Sequence, residues 1–192
     1  MATKTDKRVI QTREKIKSGF LSLIEEKPVE KVTVKEICEK AGVTRGTFYA
    51  HYENEYDLLK TLTVELISNA FDMINDLPGK KHSEEEKIDI LSKMFDYLKD
   101  NRTLLWYFVN RNVYSEITAI ARDFFNKLCL TKSVNADADR IDAAYMFTGC
   151  GIKGLFNFWI NEDFNISSKK LAVCFKSIID GGIKELIQSN DA

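Results

Sequence analysis

The sequence predicts an all-α protein of about nine helices. Three observations carry this expectation. Only two prolines and nine glycines stand among 192 residues, while Leu, Ile, Lys and Glu are abundant. Apolar residues recur at three- and four-residue spacing, the period of one helical face. Thr33–Glu36, Asn54–Asp57 and Ser83–Glu86 each set a capping side chain three residues before an acid, a helix-opening pattern. A chain of this length forms one or two domains and buries a sizeable core.

Residues 1–7, MATKTDK, read as a polar arm. A first helix follows over about 8–26, with Ile16, Phe20 and Leu23 or Ile24 on one face, and Pro28 closes it. Thr33 and Glu36 open a second helix, from Val34 to about Ala41, which places Ile37 and Ala41 on one face. Gly42 stops it, at a position where a left-handed residue is common and only glycine adopts it without steric cost. Thr44 then caps a third helix, about Arg45 to His51, its hydroxyl placed to accept the N–H near Thr47. Phe48 and Tyr52 share the inward face, so Arg45, Gly46, Thr47, Tyr49 and Ala50 point outward.

A fourth helix over about 55–77 carries the stripe Leu58, Leu62, Leu66, Ala70 and Ile74 and spans roughly 35 Å. Pro78-Gly79-Lys80-Lys81 is the clearest break in the chain. Ser83 opens the next helix, with Ile88, Leu91, Phe95 and Leu98 on one face. A short apolar helix at 104–109 and another over about 114–130 follow, then a polar loop at 131–139. Helices over about 139–160 and 167–188 complete the chain.

Two helices joined by a three- or four-residue turn, as at Val34–Tyr52, form a helix-turn-helix whose second helix enters the DNA major groove. No carboxylate occurs from Ala41 to Tyr52. The outward groups there are a guanidinium, hydroxyls, a phenol and a backbone bared at Gly46. Such groups suit phosphate oxygens and base edges, since Arg forks onto guanine while hydroxyls and main-chain N–H groups bind phosphate.

Residues 33–59, TVKEICEKAGVTRGTFYAHYENEYDLL, resemble the DNA-binding signature of the TetR/AcrR family of bacterial transcriptional regulators. The likeness runs from Ile37 through Ala41-Gly42-Val43, Gly46-Thr47-Phe48-Tyr49 and His51-Tyr52 to Leu58-Leu59. It implies an all-helical homodimer: an N-terminal three-helix DNA-binding domain, residues 1–53, joined by a long helix to a ligand-binding and dimerising C-terminal bundle, residues 54–192. By position, the family's DNA contacts fall on Thr33, Thr44, Arg45, Gly46, Thr47, Tyr49 and His51. One departure is Glu55, which stands where the family usually has a phosphate-touching lysine; a carboxylate there repels the DNA backbone. The stretch YMFTGCGIKGLFNFWI is also similar, more loosely, to the next-to-last helix of a TetR subgroup that includes regulators of dihydroxyacetone kinase operons.

Charge is divided to match. Residues 1–53 hold eleven Lys/Arg against eight acids, and the rest hold seventeen against twenty-one, within a net charge of −1. Cys38, Cys129, Cys150 and Cys174 are widely spaced, which argues against a zinc site or a disulfide framework, and all four sit in apolar helical patterns as small hydrophobes. No signal peptide or membrane-length apolar run is present, so a cytoplasmic protein without membrane partners is expected.

Gly149-Cys150-Gly151-Ile152-Lys153-Gly154 formally matches a dinucleotide fingerprint. That fingerprint needs a preceding strand, whereas the flanking residues keep helical phase, so these glycines are expected to let helices approach closely. Most of the aromatic residues of the C-terminal half are core at helical spacing. Trp106, Tyr107, Tyr114, Tyr145 and Trp159 are the candidates for lining an effector pocket, offering apolar walls with polar tips. Surplus apolar surface on the last two helices, notably Ile178, Ile179, Ile183, Leu186 and Ile187, suits a homodimer interface.

These features together predict a repressor that binds a palindromic operator in double-stranded DNA as a homodimer and is released by a small effector. The alternative is an activator or coregulator whose C-terminal domain binds a protein partner. No cofactor or metal is expected. No nucleophile–base pair or metal motif appears, and two lone histidines are poor material for catalysis.

Overall fold

The computed structural model describes residues 4–110, 114–131 and 138–188. Nine α-helices and one 3-10 turn, with no strand, make up the described residues. The chain divides into two compact units, residues 1–63 and 64–192. The division falls inside a helix, beyond the functional boundary expected at residue 54.

In the first unit, α1 spans Lys4–Glu26. It begins inside the stretch expected to be a polar arm; residues 1–3 lie outside the described ones. Ile16, Phe20, Leu23 and Ile24 are buried, whereas residues 7–11 and 13–15 are exposed. A 3-10 turn at Val29–Lys31 follows Pro28. α2 spans Val34–Ala41, and its Thr33–Glu36 capping box is fully formed. Gly42 takes the left-handed conformation at φ 64° and ends α2. α3 spans Arg45–Tyr49. α4 spans Glu55–Ile74, shorter than expected and about 30 Å long at 1.5 Å per residue. Asn54 caps it by accepting from the N–H groups of Tyr56 and Asp57, both at 2.9 Å.

The packing of α1 on α2 depends on a residue the sequence did not single out. A Cβ added at Gly19 would lie 3.1 Å from the backbone nitrogen of Ala41 and 3.3 Å from its Cβ. Glycine is therefore what lets α1 come this near the end of α2. Two ion pairs flank the contact. Lys27 Nζ lies 2.5 Å from Glu36 Oε1, and Lys40 Nζ lies 2.8 Å from Glu26 Oε1.

The second unit is built from the rest of α4 and five further helices: α5 at Glu84–Asp100, α6 at Arg102–Asn110, α7 at Tyr114–Thr131, α8 at Ala138–Asn161 and α9 at Ser168–Gln188. α5 packs chiefly on α9, and α6 on α8. Phe95 is the hub, meeting Phe156, Trp159 and Phe175 edge-on at 6.1, 5.8 and 5.6 Å. Phe164 follows α8 in a left-handed conformation at φ 57°, next to Asp163 at φ 48°. Such backbone is costly for non-glycine residues, and Phe164 is held in it by burial 4.8 Å from Trp159. Lys176 of α9 pairs with both Glu84 of α5 and Asp180, while Lys87 also reaches Glu84. These partners hold the Glu84 carboxyl down at about 2.

Two expectations need correction. Cys38 and Cys129 are buried, and burial pushes their thiols up, but Cys150 and Cys174 are exposed. Among the described residues the glycines of α8 do not bring two helices together, because a Cβ added at Gly149, Gly151 or Gly154 meets nothing there within 4 Å. Each still costs the helix about 0.5–1 kcal/mol relative to alanine. The side chains of Ile183, Leu186 and Ile187, expected in the dimer interface, lie outside the described residues, as do 132–137 of the polar loop expected at 131–139, whose ends belong instead to α7 and α8.

Gly19→Val should lower stability by about 1–3 kcal/mol, the usual cost of forcing bulk into a packed contact, as read by denaturant unfolding. An unchanged midpoint would refute the close approach. Glu36 supplies a pH signature. Lys27 first, then the Thr33 hydroxyl and N–H, hold its carboxyl down at about 2, below an ordinary 4.5. The unfolded chain therefore binds more protons through that window, so the contribution is complete above about 4.5 and lost as pH falls through 2. The stability difference between wild type and Glu36→Gln should shrink over that range; a difference independent of pH there would contradict it.

Candidate nucleic-acid interface

A helix of five residues does not stand alone, since isolated helices shorter than about 12–15 residues are marginal in water. α3 exists because both of its ends and one face are fixed. Thr44 Oγ1 accepts the N–H of Thr47 at 3.1 Å, a cap worth about 0.5–2 kcal/mol. Phe48 is fully buried, worth roughly 1.5–3 kcal/mol relative to an exposed ring. Together these outweigh the cost of roughly 1 kcal/mol for Gly46 inside the helix. Beyond α3, Ala50, His51 and Tyr52 donate back to the carbonyls of Gly46, Phe48 and Phe48. Tyr52 is buried 5.8 Å from the Phe48 ring, with the Arg13 guanidinium 6.0 Å from its own ring centroid.

This packing leaves a defined outer face. Arg45, Gly46, Tyr49 and Ala50 are exposed, and Tyr49 keeps 56% of its surface in solvent although its ring stands edge-on to Phe48 at 5.6 Å. Thr47 is half-buried, because its hydroxyl is tied to that of Thr44 at 2.9 Å. Whichever oxygen donates, one hydroxyl proton of the pair stays free to face outward. His51 is half-buried, with its ring 6.4 Å from Tyr52. A Cβ on Gly46 would meet only Thr44 Oγ1, at an ordinary 3.8 Å. Packing among the described residues thus does not require the bare backbone at Gly46.

Thr33 is exposed, but its hydroxyl is engaged. It donates to Glu36 Oε2 at 2.8 Å, and the Thr33 N–H reaches the same oxygen at 3.0 Å. A phosphate contact there would have to displace a carboxylate. Glu55 opens α4 half-buried, with Asp57 in the same first turn. Acids suit a helix N-terminus, so the charge that disfavours phosphate also stabilises the start of α4.

The residues expected to meet an effector fall in different settings. Trp159 is fully buried, and its indole N–H donates to the carbonyl of Ile166 at 2.8 Å. Its one polar group is therefore spent inside the fold. Tyr145 is half-buried, its hydroxyl donating to the Thr118 carbonyl at 3.1 Å, with Phe125 at 5.7 Å and the Arg122 guanidinium 4.8 Å from its ring centroid. Tyr107 is half-buried and Trp106 is exposed. The side chain of Tyr114 lies outside the described residues. Among the described residues, no group of three or more His, Cys, Asp or Glu could hold a metal ion, and no helix is long and apolar enough to cross a membrane.

Residues 21–62 match the family model described as bacterial regulatory proteins, tetR family. Residues 85–181 match a model described as transcriptional regulator C-terminal region. Among curated relatives, the HTH-type transcriptional regulator YvdT of Bacillus subtilis is 29% identical over 83 residues, 43% of this chain and 41% of its own length. YxbF of the same organism is 40% identical over 58 residues, 30% of this chain and 15% of its own length. The chain thus aligns with less than half the length of either. Solved structures extend the likeness to the whole fold. The dihydroxyacetone kinase operon activator DhaS superposes with a TM-score of 0.65 at 19% identity, covering 91% of this chain and 97% of its own. SmeT, the repressor of the Stenotrophomonas maltophilia efflux pump SmeDEF, gives 0.64 at 15% identity and 94% of each chain. FadR from Bacillus subtilis in complex with stearoyl-CoA gives 0.61 at 18% identity, covering 91% and 97%. These relatives are transcriptional regulators rather than enzymes. With both its N-terminal and its C-terminal regions matched, the chain belongs to the TetR family of bacterial transcriptional regulators.

Proposed function

We propose that this regulator binds a palindromic operator as a homodimer, acts as a repressor and leaves the DNA when a small effector binds. The carrying observation is the outer face of α3: a guanidinium, a phenol, paired hydroxyls and a bare backbone, free of carboxylates, on a helix fixed from beneath. In this reading Arg45 contacts a base edge, with Thr47 and Tyr49 beside it. Thr44, His51 and, once it gives up Glu36, Thr33 meet phosphates, while the backbone at Gly46 allows close approach. Residues 1–53 are the DNA-binding domain, and 54–192 bind the effector and dimerise. Exposed Met146, Phe147 and Phe158 of α8, with Val173 and Ile178 of α9, offer apolar surface for a second copy. Two half-sites about one helical turn, roughly 34 Å, apart then double the grip.

The effector site draws on Trp106, Tyr107, Tyr114 and Tyr145, with Trp159 as a rigid wall behind them. The FadR structure holding stearoyl-CoA supports an apolar-walled site of this kind. Binding there tilts α4 and separates the two recognition helices, a population shift that requires different effector affinities in the two states. One observation favours activation instead: DhaS, of similar fold, is named an operon activator. Under that version the C-terminal domain binds a protein partner, and DNA binding appears only when the partner is added.

Binding to duplexes from the gene's own upstream region, followed across salt concentrations, tests the main reading. Arg45→Ala should cost about 1–3 kcal/mol on the preferred sequence and relax specificity at one base pair. If all sequences weaken equally, Arg45 is a phosphate contact and the assignment is wrong. If wild type binds no duplex in preference to another, the function itself is refuted.

A further inference from the structure

We propose that the first turns of α1 grip the phosphate backbone of duplex DNA through Lys7, Arg8 and Lys15. This grip supplies the sequence-independent part of binding, while the outer face of α3 supplies selectivity. The proposal rests on the DNA-binding reading above and adds a second surface to it. Charge locates that surface. Residues 1–15 hold five Lys/Arg against two acids, whereas residues 16–53 hold six of each. The whole cationic excess of residues 1–53 therefore lies ahead of Ile16. Most of the later cations are also spent, since Lys17, Lys27, Lys35 and Lys40 pair with Glu14, Glu36, Glu39 and Glu26. Lys7, Arg8 and Lys15 pair with no acid among the described residues.

The helix presents these cations because it outruns its own packing. Burial in α1 begins at Ile16, and residues 7–11 and 13–15 are exposed. Val9 keeps the helical phase of Ile16 and Phe20, yet 42% of its surface is in solvent, and Ile10 has 55%. At 3.6 residues per turn, Lys7, Arg8, Gln11 and Lys15 fall within about 100° of the circumference, turned away from Ile16 and Phe20. Lys7 to Lys15 covers about 12 Å, the rise of roughly three to four base pairs. Glu14, the acid at the edge of this stripe, is held 3.4 Å from Lys17. The recognition end of the unit cannot supply the same contacts. From Ala41 to Leu59 the only Lys or Arg is Arg45, and Glu53, Glu55 and Asp57 stand together around the start of α4. Half or more of a DNA reader's hydrogen bonds go to phosphate and sugar, so a chain with one such cation around α3 draws its phosphate contacts from elsewhere. An unpaired stripe of one sign suits a polyanion and repels a second copy of itself. The polyanion that α3 of the same unit meets is duplex DNA.

Equilibrium binding of the full chain to an upstream duplex and to a scrambled one, between about 50 and 200 mM salt, separates the two surfaces. Lys7→Gln, Arg8→Gln and Lys15→Gln together should lower the slope of log affinity against log salt by about 2.7, roughly 0.9 for each lost phosphate contact. The lead of wild type over this variant then shrinks about 40-fold across that range. The loss should be equal on both duplexes, leaving the preference for one over the other intact. Circular dichroism and the unfolding midpoint should not move, because all three side chains are exposed. A matched loss of three cations from the second unit, Lys81→Gln, Lys169→Gln and Lys170→Gln, should keep the wild-type slope. A fall of less than about 0.9, short of one contact, overturns the grip. So does an equal fall in the matched variant, or a triple variant that weakens on one duplex alone. If wild type binds neither duplex, the DNA-binding reading fails as well; if it prefers one and the triple variant keeps its slope, only the grip fails.

Discussion

The burial of Phe48 beneath a five-residue helix is the interaction on which the DNA-facing unit depends. α3 is too short to persist by its own hydrogen bonds, so its outer side chains hold fixed positions only while its inner ring is sealed and its first turn is capped. The close approach of α1 to α2 at Gly19, the paired charges at Lys27–Glu36 and Lys40–Glu26, and the left-handed Gly42 all serve that end. They hold α2, and α2 with its turn holds α3. A reader of base edges must be rigid to within a fraction of the spacing between neighbouring base pairs, and here rigidity comes from beneath the helix rather than from the helix.

The second unit divides α8 in a comparable way. Phe156 and Trp159 turn inward onto Phe95, while Phe147 and Phe158 face outward. One helix thus contributes to the core on one side and leaves large apolar side chains exposed on the other.

Much of this was legible in the sequence because it is local. The Thr33–Glu36 and Ser83–Glu86 boxes, the Thr44 cap and the stop at Gly42 involve residues no more than four apart, and the structure forms each of them. The stripe on α4 from Leu58 to Ile74 is buried as its period predicts. What the sequence did not disclose is long-range. The Gly19–Ala41 approach and the ion pairs that α2 makes with Glu26 and Lys27 join residues nine or more positions apart. Nor could periodicity separate the buried Cys38 and Cys129 from the exposed Cys150 and Cys174, since all four lie in apolar patterns. For the aromatic residues, pattern alone left Trp159 a candidate pocket wall. Only the path of the chain after α8 brings the Ile166 carbonyl to its indole N–H.

The central claim, that the outer face of α3 lies in the major groove, is tested most directly by dimethyl sulfate protection, which reports access to guanine N7. Bound protein should shield guanines at two symmetric positions about one helical turn apart, and Arg45→Ala should expose them again while other contacts persist. Binding that leaves every guanine N7 open, or protection that survives Arg45→Ala unchanged, would contradict the account.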